Sequence, residues 1–235
     1  MRNIFLIPFC LSTMVVLGSC DEQGIEQVVE ERVEAPSGRV LSTVPDLPNI
    51  NDDFLIYLHG AIVETEGMRP THPRFGIYEY STILQTFADR GFTVISEVRP
   101  AKTHPDAYAR RVVTQVQALL DAGVPEQQIT IVGFSKGGII ATLASSKIIR
   151  TDVKWVILAG CGTWVGKLPD MVPNGRILSI LDSGEDMATS CEDLFSRMPE
   201  GAIHDELTTQ LGSGHGAFYT PDSSWVEPTI EWAGR

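Results

Sequence analysis

The sequence predicts an α/β protein built on a doubly wound, mostly parallel sheet. Two observations carry that expectation: apolar runs of strand length alternate with longer segments of helical period, and the order along the chain is strand, helix, strand, helix. Residues 54–58 (FLIYL) form a continuous buried-strand run closed by His59-Gly60. Residues 78–89 read as a helix that stops at Gly91 with Arg90 in its last turn, and 92–98 (FTVISEV) as the next strand. In the helix expected over 105–122, Tyr108, Val112, Val116, Leu119 and Leu120 recur at three- and four-residue steps and give one apolar stripe, with Gly123 as the cap. Residues 128–133 (QITIVG) are the third clear strand, followed by a helix over 136–149. Residues 154–159 (KWVILA), 176–181 (RILSIL) and 206–210 supply three more strands. A last helix runs from residue 222 or 223 to Trp232, where Pro228 demands a kink or a short break.

Composition bounds what such a sheet can be used for. Of 235 residues 43% are apolar and 20% charged, a globular balance. The 18 basic and 30 acidic residues leave a formal charge of −12, which draws the chain neither to nucleic acid nor to an anionic lipid surface.

The N-terminus reads as a targeting segment. Arg2 is a short positive region, residues 4–17 are apolar apart from Pro8 and a few small polar residues, and Leu17-Gly18-Ser19-Cys20 ends the run on small residues before a cysteine. This resembles a bacterial lipoprotein signal, which implies cleavage before Cys20 and a membrane-anchoring lipid on its sulfur. An ordinary secretory signal with a chance cysteine is the alternative; both readings export the chain, and the lipoprotein reading keeps it in the cell envelope. Residues 1–19 are thus the signal and 20–47 an acidic tether, whose stretch 21–36 (DEQGIEQVVEERVEAP) holds six acids and one base and buries little apolar surface. The domain proper is expected over 48–235. Cys161 and Cys191 remain as an even pair in an oxidising compartment, either disulfide-bonded or two separate small apolar side chains.

The chemistry concentrates at Gly133-Phe134-Ser135-Lys136-Gly137, between a buried strand and an apolar helix. A tight strand-to-helix turn tolerates only small neighbours two positions either side of its centre, so these glycines let Ser135 project its hydroxyl above the sheet. On this motif the chain resembles the α/β-hydrolase family over about residues 50–235. In that family a histidine in a loop near the C-terminus follows an acid that follows a later strand. His215, in Gly212-Ser213-Gly214-His215-Gly216, fits that order as general base. The acid is sought after the strand ending at Leu181: Glu185, two before the apolar Met187, is the first choice, with Asp186 and Asp182 as alternatives, the last also able to cap the turn. The family pattern further implies an oxyanion hole from the backbone amides of Ala61, after His59-Gly60, and Lys136.

No His or Cys pairs stand at zinc-site spacing and no phosphate-binding glycine loop is present, so neither metal nor cofactor is expected. About sixteen residues separate the strands at 154–159 and 176–181, too few for a large cap domain. The cleft is expected to be lined by 61–77, with Met68, His72, Arg74 and Phe75, by the adjoining Tyr78, and by 161–173, with Trp164. The resemblance implies a monomeric, lipid-anchored serine hydrolase acting on a small-molecule ester. A non-catalytic ligand-binding module on the same fold, and a peptidase or acyltransferase using the same triad, are the alternatives.

Overall fold

A computed structural model describes residues 38–235, and the signal, Cys20 and residues 21–37 of the tether lie outside the described residues. In chain order the elements are β1 (Arg39–Leu41), β2 (Phe54–Leu58), α1 (Ala61–Glu66), β3 (Thr71–His72), β4 (Gly76–Ile77), α2 (Tyr80–Asp89), β5 (Thr93–Ile95), α3 (Pro105–Asp121), β6 (Ile129–Phe134), α4 (Lys136–Ser145), β7 (Lys154–Leu158), β8 (Arg176–Asp182), α5 (Glu192–Phe195), β9 (His204–Thr209) and α6 (Ser223–Trp232). Seven strands pair in the order β1-β5-β2-β6-β7-β8-β9, every neighbour parallel, and β3-β4 form a separate antiparallel ribbon.

The apolar runs are continuous because both faces of this sheet are covered. Phe54, Ile56 and Leu58 of β2 turn toward α3 and α4, packing with Val112, Val116, Leu119 and Ile140. Leu55 and Tyr57 turn to the other face, against Ile83 and Phe87 of α2 and, across the same core, Trp225 and Ile230 of α6. The long central segments are legible in the sequence for this reason, since their periodicity and their burial coincide.

Four departures have local causes. The tether assigned to residues 20–47 ends sooner, because β1 pairs Arg39–Leu41 in register with Thr93–Ile95 at the sheet edge. Its side chains at 39 and 40 are exposed, so no apolar signal marks it. Residues 96–98 leave the sheet, shortening the strand expected over 92–98. The last strand begins at His204, whose ring stacks on Phe195 at 4.5 Å, rather than after it. Finally, α6 runs through Pro228. Pro228 is the sixth of the ten residues and forfeits one intrahelical hydrogen bond, while buried Trp225, Val226 and Ile230 hold the segment against the sheet.

Among the described residues no large cap interrupts the sheet: the β7–β8 connection carries one 3-10 turn, Val165–Lys167. Cys161, in that connection, is disulfide-bonded to Cys191 at the start of α5, with a Cα separation of 5.3 Å and a sequence separation of 30. Cross-linking a loop of that length restricts the unfolded chain by about 3–4 kcal/mol. Mild reduction is therefore expected to lower the denaturant midpoint measurably without changing the far-UV spectrum of the native state. An unchanged midpoint would show that the bond contributes nothing.

Candidate active site

The chain leaves β2 toward β5 on one side and leaves β6 toward β7 on the other, so the carboxyl ends of β2 and β6 flank the point where winding reverses. Crevices at such points are where open α/β sheets bind ligands. Ser135 sits there, between β6 and α4, with φ 54° and ψ −116°. A non-glycine residue in that region is strained and persists only where its surroundings fix it. They do so tightly. A Cβ on Gly137 would stand 1.8 Å from the Leu58 carbonyl oxygen, and one on Gly133 would stand 2.3 Å from the carbonyl oxygen of Gly137. The Ser135 amide donates to the Leu158 carbonyl, at the end of β7, at 2.8 Å. The glycine spacing read from the sequence thus corresponds to backbone approaches that no side chain could share.

His215 lies in a 3-10 turn over Gly214–Phe218 and is buried. Its Nδ1–H donates to the Glu185 carboxylate, 3.1 Å from Oε2 and 3.2 Å from Oε1. Burial works to raise the Glu185 carboxyl, but hydrogen bonds from His215, from the Met187 amide at 2.8 Å and from the Ala188 amide at 3.1 Å hold it below its ordinary value. It is therefore an ionised acceptor. Among the three candidate acids the geometry separates roles: Asp186 turns outward to an exposed ion pair with Arg74 at 2.9 Å.

Asp182, only 3% exposed, is turned away from solvent into a ring of donors. Its Oδ1 accepts from Thr209 Oγ1 at 2.7 Å and from the amides of Leu211 and Gly212 at 3.0 and 3.3 Å; its Oδ2 accepts from the amides of Gly184 and Gly214 at 3.0 and 2.8 Å. Burial pushes this carboxyl up, and those donors more than reverse it, leaving it below its ordinary value. Asp182 thereby fastens the loop that carries Glu185 to the loop that carries His215. Gly214 fits under it with φ 57° and would meet the Gly184 carbonyl at 2.5 Å with any side chain.

Ser135 and His215 line one cavity of about 170 Å³, together with Gly60, Ala61, Ile62, His72, Phe75, Phe134, Met187 and Tyr219. The His215 ring lies 4.9 Å from that of Phe134, which stiffens its seat. A polar cavity of about 430 Å³ adjoins across Phe75 and Tyr219 and is bordered by Arg74, Ser213 and Thr220. A further cavity of about 380 Å³, between residues 43–48 and α3, touches none of these groups. Of the residues expected along the cleft, His72 and Phe75 are present, stacked at 4.5 Å. Tyr78 is fully buried behind them, Met68 is exposed, and Trp164 packs against the opposite core with its Nε1–H on the Gly160 carbonyl. Phe134 and Tyr219 are not expected as lining residues from the sequence, although Phe134 lies within Gly133–Gly137 and Tyr219 three residues beyond Gly212–Gly216.

Ala61 and Lys136 are the first residues of α1 and α4, so their N–H groups have no acceptor within their own helices. The Lys136 side chain turns away, its Nζ 2.6 Å from Glu64 Oε2. Among the described residues no three His, Cys, Asp or Glu side chains gather as a metal site requires.

No protein-family model matches the chain, and no curated protein matches its sequence. Solved structures do. A variant of SOBER1 from Arabidopsis thaliana aligns with a TM-score of 0.51 at 12% identity, over 77% of this chain and 100% of that one. Esterase PE8 aligns with a TM-score of 0.51 at 15% identity, over 80% and 96%. A lipase-esterase related protein of Clostridium acetobutylicum ATCC 824 aligns with a TM-score of 0.50 at 12% identity, over 79% and 97%. With seven parallel strands, helices on both faces and a serine on the turn after β6, the chain has the α/β-hydrolase fold.

Proposed function

We propose that the protein is a serine hydrolase that cleaves carboxylic esters of small acyl groups. One observation supports this above all: a serine held in strained backbone at the winding reversal shares a cavity with an imidazole whose far nitrogen donates to a buried carboxylate. Because Glu185 only accepts, Nδ1 carries the proton and Nε2 keeps its lone pair. Ser135 Oγ attacks the acyl carbon while Nε2 removes its proton. The carbonyl oxygen becomes negative between the amides of Ala61 and Lys136. Collapse expels the alcohol, which takes the proton from His215, and water then repeats the sequence on the acyl-enzyme.

Two of the similar proteins carry esterase in their names, which favours ester over amide chemistry. The cavity of about 170 Å³ is smaller than the roughly 300–1,000 Å³ of ordinary ligand pockets, which favours a short acyl chain. Export and lipidation of Cys20 belong to the same proposal, and the Cys161–Cys191 bond fits an oxidising compartment.

A fluorophosphonate should add one adduct at Ser135, seen by intact mass. On p-nitrophenyl esters, kcat/KM should fall at least about tenfold from acetate or butyrate to octanoate, as expected when several methylenes find no pocket. Absence of both adduct and turnover would leave a non-catalytic ligand-binding module as the better account. Turnover of amides or transfer to alcohol acceptors instead of water would indicate the peptidase or acyltransferase form.

A further inference from the structure

Behind the two amides assigned to the oxyanion lies a buried set of charges that the triad does not use. The Arg99 side chain is 0% exposed and that of Glu64 is 2% exposed. Glu64 divides its carboxylate: Oε1 accepts from Arg99 Nε at 3.0 Å and Oε2 from Lys136 Nζ at 2.6 Å. Arg99 also reaches back to β2. Its Nη2 donates to the His59 carbonyl, and its amide donates to His59 Nε2 at 2.9 Å. The His59 Nδ1–H in turn donates to the Gly60 carbonyl at 2.7 Å. Burial and then the Arg99 charge press His59 to about 3, so that ring is neutral and both of its nitrogens are spoken for.

Burying Arg99 and Glu64 beside a half-buried Lys136 is costly, and exchange of such groups for apolar ones is often neutral or stabilising. Their placement suggests another use. Arg99 fixes the His59-Gly60 turn that aims the Ala61 amide; Glu64 lies one turn further along α1 from Ala61; Lys136 supplies the other amide and begins α4. We propose that Glu64 is a positioning residue, clamping α1 to α4 through Lys136 and to β2 through Arg99, and so fixing the spacing of the two oxyanion donors before substrate arrives. This rests on the hydrolase reading of the site.

The alternative use of such a cluster is its field, and the two make opposite predictions. Glu64 is its one negative member. If the cluster acted by charge alone, Glu64→Gln would leave more positive charge near the oxyanion and raise turnover. A clamp loses its hold instead. Deleting one oxyanion donor costs roughly 10²–10³ in turnover, and misplacing two by a fraction of an ångström should cost about 10- to 100-fold.

The experiment compares wild type, Glu64→Gln, Lys136→Met and Lys136→Arg in kcat and KM for p-nitrophenyl acetate, and in the inhibition constant of phenylboronate, which binds a serine hydrolase as an anionic tetrahedral adduct. Expected are a kcat about 10- to 100-fold lower with KM within about threefold for Glu64→Gln and Lys136→Met, a matching loss of boronate affinity, and recovery in Lys136→Arg, which keeps a donor for Glu64. Lys136, with 19% of its side chain exposed, is the member whose replacement the fold tolerates best, so it decides the question if Glu64→Gln does not fold. Wild-type kcat and boronate affinity in folded Lys136→Met, or faster turnover in Glu64→Gln, would overturn the clamp while leaving the hydrolase standing. An inactive wild-type protein with no fluorophosphonate adduct would remove both.

Discussion

Ser135→Ala is expected to lose about 10⁴- to 10⁶-fold in ester turnover, with the melting temperature unchanged or slightly higher. The size of the loss follows from what the hydroxyl does: without it there is no acyl-enzyme, and what remains is binding and the two amides, which alone retain only a residual rate over water. The direction on stability follows from the backbone. The residue at 135 is held at φ 54° whatever its side chain, so strain is common to both proteins, while alanine has no hydroxyl to keep solvated in a narrow cavity. Michaelis constants should stay within a few-fold, because the cavity walls formed by Ile62, Phe75 and Met187 are untouched. Full turnover in the alanine variant would place the chemistry elsewhere in the molecule.

Glu185→Gln is the second large effect, about 10³- to 10⁴-fold in kcat. Glu185 Oε1 already accepts from the Met187 and Ala188 amides, so a glutamine keeps its oxygen there and turns its NH₂ toward His215 Nδ1. Two donors cannot face each other. The imidazole shifts its proton to Nε2, and the lone pair that should receive the Ser135 proton is gone. Asp186→Asn is the matched control: it breaks only an ion pair whose side chains are more than half exposed, worth little in water, and turnover should change by less than about threefold. Equal losses in the two variants would contradict the assignment of the acid. A steady-state comparison at one pH suffices, since the Glu185 carboxyl is ionised well below neutrality.

What can be read from the chain and what cannot divide along distance in sequence. The elbow is a five-residue feature, and Gly133 and Gly137 mark it because each answers to a backbone atom nearby in the fold. The central strands are legible because burial on both faces removes alternation and leaves apolar runs. Choosing among Asp182, Glu185 and Asp186 from sequence depends on where each side chain points in one short loop, and a one-residue step separates an interior carboxylate from a surface one. The work of Asp182 is visible only in part: a turn cap through Gly184 is local, whereas its contacts to Thr209, Leu211, Gly212 and Gly214 come from the end of β9 and the loop after it. The Arg99–Glu64–Lys136 set joins three separate segments and leaves no spacing to detect. Short pieces escape for a different reason. β1 offers three exposed or half-exposed residues, and α1 spans only six residues, so neither has a period long enough to register.

The carboxylate of Asp182 has one more effect, on how the protein meets acid. Its proton affinity is lower folded than unfolded, so its contribution to stability is complete above the ordinary carboxylate range near 3.8 and disappears as pH falls through the depressed value. Protonation there would loosen two loops at once, freeing His215 and Glu185 together while Ser135 stays seated by its glycines. Acid is therefore expected to loosen both loops in one step, read as a melting temperature that falls as pH drops below the ordinary carboxylate range.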